Sequence, residues 1–192
     1  MDYLKLAQIA VQEVLNEYGE HTCIAMAGVL MTVLRLDGVD GAYPLTVHVK
    51  ILNPNLTKLA SSVKSPSEAQ MKRWGAQQGS FMVSLGEVMS EPDGWPGHLV
   101  VIVPDAVEGR TIMLDLTIMQ ADQPQYGIRL RPIALKLDRE ILATKTFGVV
   151  QNGCQIMYKA FPDDLTYQEK LAWQRSDLHD LVATRILSRL YS

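Results

Sequence analysis

Cys23, His98 and Asp115 are the side chains of this sequence whose types and spacing could do covalent chemistry together. Cys23 stands at the start of an apolar run, Ile24-Ala25-Met26-Ala27-Gly28-Val29-Leu30-Met31, which reads as a buried helix with Thr22 as its N-cap. A helix N-terminus presents unpaired N–H groups and about half a positive charge, which favours a thiolate and can also hold an oxyanion. A lone cysteine on an apolar helix is more often a core residue. Position alone therefore does not make Cys23 a nucleophile.

His98 opens the run His98-Leu99-Val100-Val101-Ile102-Val103, so an ionisable ring stands at the mouth of a buried strand. Asp115 follows 17 residues later inside Ile112-Met113-Leu114-Asp115-Leu116-Thr117. A carboxylate in a hydrophobic strand is costly to bury unless something pairs with it. The turn residues Asp105 to Gly109 make the two strands a hairpin, and pairing Pro104 with Gly109 would set His98 directly opposite Asp115. Cβ atoms of such a pair lie about 4.5–5.5 Å apart. A slip of one residue would send the two side chains to different faces. With the carboxylate fixing one ring nitrogen, the other faces the thiol as general base and then acid, which completes a Cys-His-Asp triad.

The remaining candidates carry less. His21 reads as a loop residue, His48 falls on the polar side of its strand, and His179 lies on a helix between Asp177 and Asp180. Cys154, 131 positions from Cys23, reads as a structural strand residue beside a turn. No His/Cys spacing suits a metal, so no metal and no cofactor is expected.

The elements that must position the triad follow from periodicity. Tyr3 to Tyr18 carries a helical stripe ended by Gly19 at C′. After the Cys23 helix, Asp37-Gly38 and Asp40-Gly41 break the chain, and Leu45, Val47, Val49 and Ile51 alternate with polar residues as a half-buried strand closed by Asn53-Pro54. Residues 53–97, interrupted by prolines, read as an irregular insertion or lid over a site. Strands are expected at His98–Pro104, Thr111–Thr117 and Pro132–Leu137, with a hairpin about Asn152-Gly153, a pair suited to the type I′ turn. Residues 166–191 read as one amphipathic C-terminal helix. The expected fold is a single α+β domain over 1–192, with N-terminal helices on an antiparallel β-sheet and a closing C-terminal helix.

A Cys at a helix start, Trp95-Pro96-Gly97-His98 opening a strand and Leu114-Asp115-Leu116-Thr117 on the next strand resemble the transglutaminase-like and arylamine N-acetyltransferase-like branch of the papain-like superfamily. The resemblance covers about Thr22 to Gln120. It implies a papain-like, transglutaminase-like fold with Cys23 as nucleophile, His98 as base and Asp115 as orienting acid. The glutamine that papain-type peptidases place just before the nucleophile has no clear counterpart among Asn16 to Glu20. An oxyanion would then fall to the Cys23 backbone N–H with a second donor, for which Gln120 and the Trp95 indole are candidates.

The chemistry so implied is cysteine-dependent acyl transfer: amide or isopeptide hydrolysis, deamidation, transamidation or acyl transfer through a thioester. The substrate would be a protein, a peptide or a small acyl compound. The competing readings are a non-catalytic binding or regulatory module of the same fold, and a redox-sensing thiol. Composition fits an ordinary globular chain: 192 residues, 47% hydrophobic, 20% charged and a net charge of −3. No basic block suggests nucleic acid, and no apolar run reaches the ~20 residues of a membrane span. The N-terminus, Met1-Asp2-Tyr3-Leu4-Lys5, has no signal-peptide pattern, so the expected location is the cytoplasm. Oligomeric state is not encoded legibly.

Overall fold

The structure, a computed structural model, describes residues 1–19, 23–63, 67–77, 79–86, 95, 97–107, 110–138 and 143–192. Two helices come first, α1 (Tyr3–Tyr18) and α2 (Cys23–Leu36). Asp2 caps α1 by accepting from the Leu4 and Lys5 N–H groups, and Gly19, at φ 78°, ends it. Seven strands follow: β1 (Tyr43–Leu52), β2 (Met82–Leu85), β3 (His98–Val107), β4 (Arg110–Asp115), β5 (Ile133–Leu137), β6 (Thr146–Gln151) and β7 (Cys154–Ala160). Short helices α3 (Pro54–Ser61) and α4 (Glu68–Gly75) lie between β1 and β2, and α5 (Leu171–Gln174) and α6 (Ser176–Leu190) close the chain. The fold is α+β.

All pairings within the sheet are antiparallel, in the order β5-β4-β3-β1-β7-β6. One edge of β1 is shared. Its first half, Tyr43 to Val47, pairs with β3 and its second half, Val49 to Leu52, pairs with β2. Strand β2 thus ends where β3 begins, and Gly86 approaches Gly97 and His48 so closely that a Cβ there would stand 3.0 Å from the His48 ring.

Two cores lie on opposite faces of the sheet, as the alternation of strand residues dictates. On one face α1, α2 and α6 cover Leu99, Val101, Val103, Ile112 and Leu114. On the other, Leu45, Val47, Val49 and Ile51 of β1 join Val100, Ile102, Met113, Phe147 and Tyr158. Helix α2 is buried along most of its length, and the His179 ring of α6 presses on Gly28, where a Cβ would come within 2.4 Å.

Four features depart from the sequence reading. The described residues of 53–97 hold α3, α4 and β2, and β2 is part of the sheet; the rest of that stretch lies outside the described residues. Asn53 ties this region down, accepting from Leu56 and Phe81 N–H and donating to the Gly79 and Tyr126 carbonyls. The C-terminal stretch is not one helix. A 3-10 turn at Thr166–Glu169, α5 and α6 are separated at Lys170 and Arg175, the latter at φ −81° and ψ 60°. Tyr167 makes edge contacts with both Trp95 and Trp173, a packing that a straight amphipathic rod would not provide. Strand β3 runs on to Val107 instead of turning at Asp105. The expected Thr22 cap, His21 and Gly109 lie outside the described residues.

The fourth departure is the β3–β4 register. Val101 pairs with Leu114 and Val103 with Ile112, which sets Val100, not His98, opposite Asp115; the register shifts between Val103 and Val107. The change is by two residues, so His98 and Asp115 keep the same face and become diagonal neighbours. An irregularity late in β3 is the physical reason, because it displaces the ladder that the turn alone would set.

Candidate active site

His98 is the first residue of β3, opposite Val47 on β1, and Asp115 is the last of β4, opposite Ile133 on β5. Their diagonal relation brings His98 Nε2 to 2.9 Å from Asp115 Oδ1, with the residues 1% and 0% exposed. The carboxylate has further donors. The Thr117 N–H reaches Oδ1 at 3.3 Å, and the Tyr158 hydroxyl donates to Oδ2 at 2.9 Å. A buried carboxylate met by three donors avoids the desolvation cost that an isolated one would carry.

With Nε2 engaged by Asp115, Nδ1 is the nitrogen left for a further partner. Cys23, half-buried at the start of α2, is near enough to the His98 ring to help hold its proton. Helix α2 covers the opposite face of the sheet, and the two side chains meet because His98 sits at the strand's very beginning. Burial by itself would pull the imidazole down. The Asp115 charge, the Asp115 hydrogen bond and Cys23 outweigh that and raise it from 6.5 to about 10. The ring is therefore charged at neutral pH.

The other sequence-nominated residues are placed as follows. Trp95 stands over Gly97, where a Cβ would come within 2.4 Å of the indole ring. Its indole N–H donates to Thr166 Oγ1 at 2.8 Å, and the Thr166 hydroxyl donates to Asp164 Oδ1 at 2.6 Å. That donor is thus committed to the segment after β7. Gln120 lies half-buried in a 3-10 turn after β4, its backbone N–H bonded to Thr117 O; its side chain makes no hydrogen bond to Cys23 or His98. His48 packs on Phe161 with ring centroids 4.2 Å apart and planes tilted by 39°, and His179 is buried with Nε2 2.9 Å from Ala172 O. Cys154 is fully buried. Among the described residues no cluster of His, Cys, Asp and Glu could hold a metal.

Sequence reasoning missed Tyr158. It alternates within β7 as an inward residue, and nothing local distinguishes it from core tyrosine. Strands β4 and β7 are three places apart in the sheet, about 14 Å at the usual ~4.8 Å spacing. The hydroxyl reaches Asp115 because the sheet curls about the second core. No helix of the described residues is long and apolar enough to cross a membrane. Compared with protein families, curated proteins and solved structures, the chain matches none.

Proposed function

We propose that this chain is a cysteine-dependent acyl-transfer enzyme of papain-like, transglutaminase-like architecture, with Cys23 as nucleophile, His98 as acid and base, and Asp115 as the group that orients the ring. The observation that carries the reading is the wholly buried His98–Asp115 contact, with Cys23 close enough to the ring to act on its protonation. A charged pair merely closing a sheet edge would have no use for a half-exposed thiol at a helix start.

In the reaction, His98 already holds the proton given up by Cys23, and the thiolate attacks an amide, ester or thioester carbonyl. The negative charge moves to the carbonyl oxygen, held by the Cys23 backbone N–H, with Gln120 as the second donor nominated by sequence. Collapse breaks the bond to the amine, alcohol or thiol, which leaves with the His98 proton. His98 then deprotonates water or an amine that attacks the thioester and restores the thiol. The substrate class is a protein, a peptide or a small acyl compound.

Alkylation of Cys23 by iodoacetamide, followed by mass spectrometry of its peptide across pH, tests this. Alkylation of the unmodified protein should be faster at neutral pH than that of His98→Ala, with a different dependence on pH. Identical profiles for the two proteins would refute the triad. A Cys23→Ser variant that retains acyl groups as stable esters would then identify the acyl donor.

A further inference from the structure

We infer that Tyr158 is a positioning residue of this site, a fourth member that fixes the rotation of the Asp115 carboxylate so that one oxygen faces His98 while the other accepts from the tyrosine hydroxyl. The inference rests on the acyl-transfer reading and adds to it a residue from the far side of the sheet.

Three observations support it. Tyr158 is fully buried and its hydroxyl meets Asp115 Oδ2 at 2.9 Å, so bulk water cannot replace it. The ring has no freedom to swing away: it stacks on Phe147, its cross-strand partner, with centroids 5.3 Å apart and planes at 15°, and its backbone is held between Val49 and Phe147. The hydroxyl also stays protonated, because burial, then the Asp115 charge and hydrogen bond, push it well above the ordinary tyrosine value. It is therefore a donor at every pH at which the site could work. Asp115 has two oxygens and the Thr117 N–H competes for one of them at 3.3 Å. Without the hydroxyl, Oδ2 is a buried acceptor with no donor, and the carboxylate gains by rotating toward the backbone and away from the imidazole. Tyr158 touches neither the thiol nor the place of a substrate; it acts through Asp115.

Tyr158→Phe removes one oxygen and keeps the ring packing. At pH 6, Cys23 alkylation should slow about tenfold, the scale of one lost hydrogen bond to a buried charged group. The pH at which the His98 ring loses its proton, read by NMR of its nitrogens, should fall from its position near 10. In an Asp115→Asn background the same substitution should add nothing, since its effect passes through the carboxylate. A filler role alone would lower the thermal midpoint and leave alkylation and the His98 titration unchanged, which overturns the inference. A rise in the His98 titration would overturn it as well, since the hydroxyl would then be tempering the carboxylate and not orienting it.

An unmutated readout covers the case in which Tyr158→Phe does not fold. The Tyr158 hydroxyl proton should give a slowly exchanging low-field signal that shifts as His98 titrates, and its absence or indifference counts against the role. Wild type and His98→Ala, run alongside, separate the two claims. Equal alkylation profiles for that pair sink the triad, whereas a clear difference between them with an unaffected Tyr158→Phe sinks only the role of Tyr158.

Discussion

The proton count of the Cys23–His98 pair makes stability itself report on the chemistry. His98 titrates at about 10 in the folded chain against 6.5 for an ordinary histidine. A group raised in this way contributes stability that is fully present below its unfolded value and lost as pH rises through its folded value. Taken alone, it makes the unfolding free energy fall by about 1.4 kcal/mol per pH unit across that window. If His98 holds the proton of Cys23, as the acyl-transfer reading requires, the thiol cancels this near neutrality. At pH 7 to 8 an unfolded cysteine keeps its proton and an unfolded histidine does not, given ordinary values of about 8.5 and 6.5. On the acyl-transfer reading the folded pair also holds one proton, on the ring. Both states bind the same number, and the slope vanishes. Replacing Cys23 by Ser leaves the folded state with one proton and the unfolded state with none. That variant should lose about 1.4 kcal/mol between pH 7 and pH 8, while the unmodified protein stays level.

Urea unfolding under reducing conditions, followed by the fluorescence of Trp74, Trp95 and Trp173, measures both slopes. At about 1–3 kcal/mol/M the loss moves the midpoint by roughly 0.5–1.4 M. Other groups stay quiet in this window. Burial pulls His179 down, so its contribution rises with pH and is complete above 6.5, and burial pushes Cys154 up, so it acts mainly above pH 8. Two parallel falling lines would mean that Cys23 keeps its proton in the folded protein and would refute the ion pair. Two level lines would mean that His98 is not charged.

Gly28→Ala gains about 1 kcal/mol in helix propensity. It also drives a Cβ to 2.4 Å from a His179 ring that is buried and bonded to Ala172 O; with overpacking at about 1–3 kcal/mol and that bond at stake, a net loss of about 1–2 kcal/mol is expected. In a His179→Ala background the same change should raise the thermal midpoint. Asn53→Ala removes a buried side chain that satisfies groups on three segments, so a loss of about 3 kcal/mol and a midpoint about 6–12 °C lower by calorimetry are expected. Gly153→Ala places a side chain at φ 77° in the β6–β7 turn and should cost about 1–2 kcal/mol, read as a lower urea midpoint.

Elements governed by local rules were legible in the sequence. Gly19 does end α1, and Asn152-Gly153, at φ 51° and 77°, joins Gln151 to Cys154 in a two-residue turn. The alternation of β1 correctly marks Leu45, Val47, Val49 and Ile51 as the inward residues. The need of Asp115 for a partner pointed to His98 because a buried charge is a constraint visible without coordinates. Features set at long range were not legible. The β3–β4 register depends on an irregularity inside the strand, the break at Arg175 on how Tyr167 packs, and the reach of Tyr158 on the curl of the sheet. Secondary structure within 53–97 was hidden because short helices between prolines carry little periodicity, although Ser67 and Gln70 form a capping box at α4.

The curl that joins β4 to β7 also fixes when the site can come into being. Cys23, His98, Asp115 and Tyr158 are far apart in sequence, and α2 is held in place by a helix that ends at Leu190. Contacts between such distant positions close late, because the loop entropy must be met before they reward it. A chain emerging from a ribosome exposes its cysteine long before β7 and α6 exist to complete its surroundings. The thiol of Cys23 thus meets His98 only once these distant segments have come together.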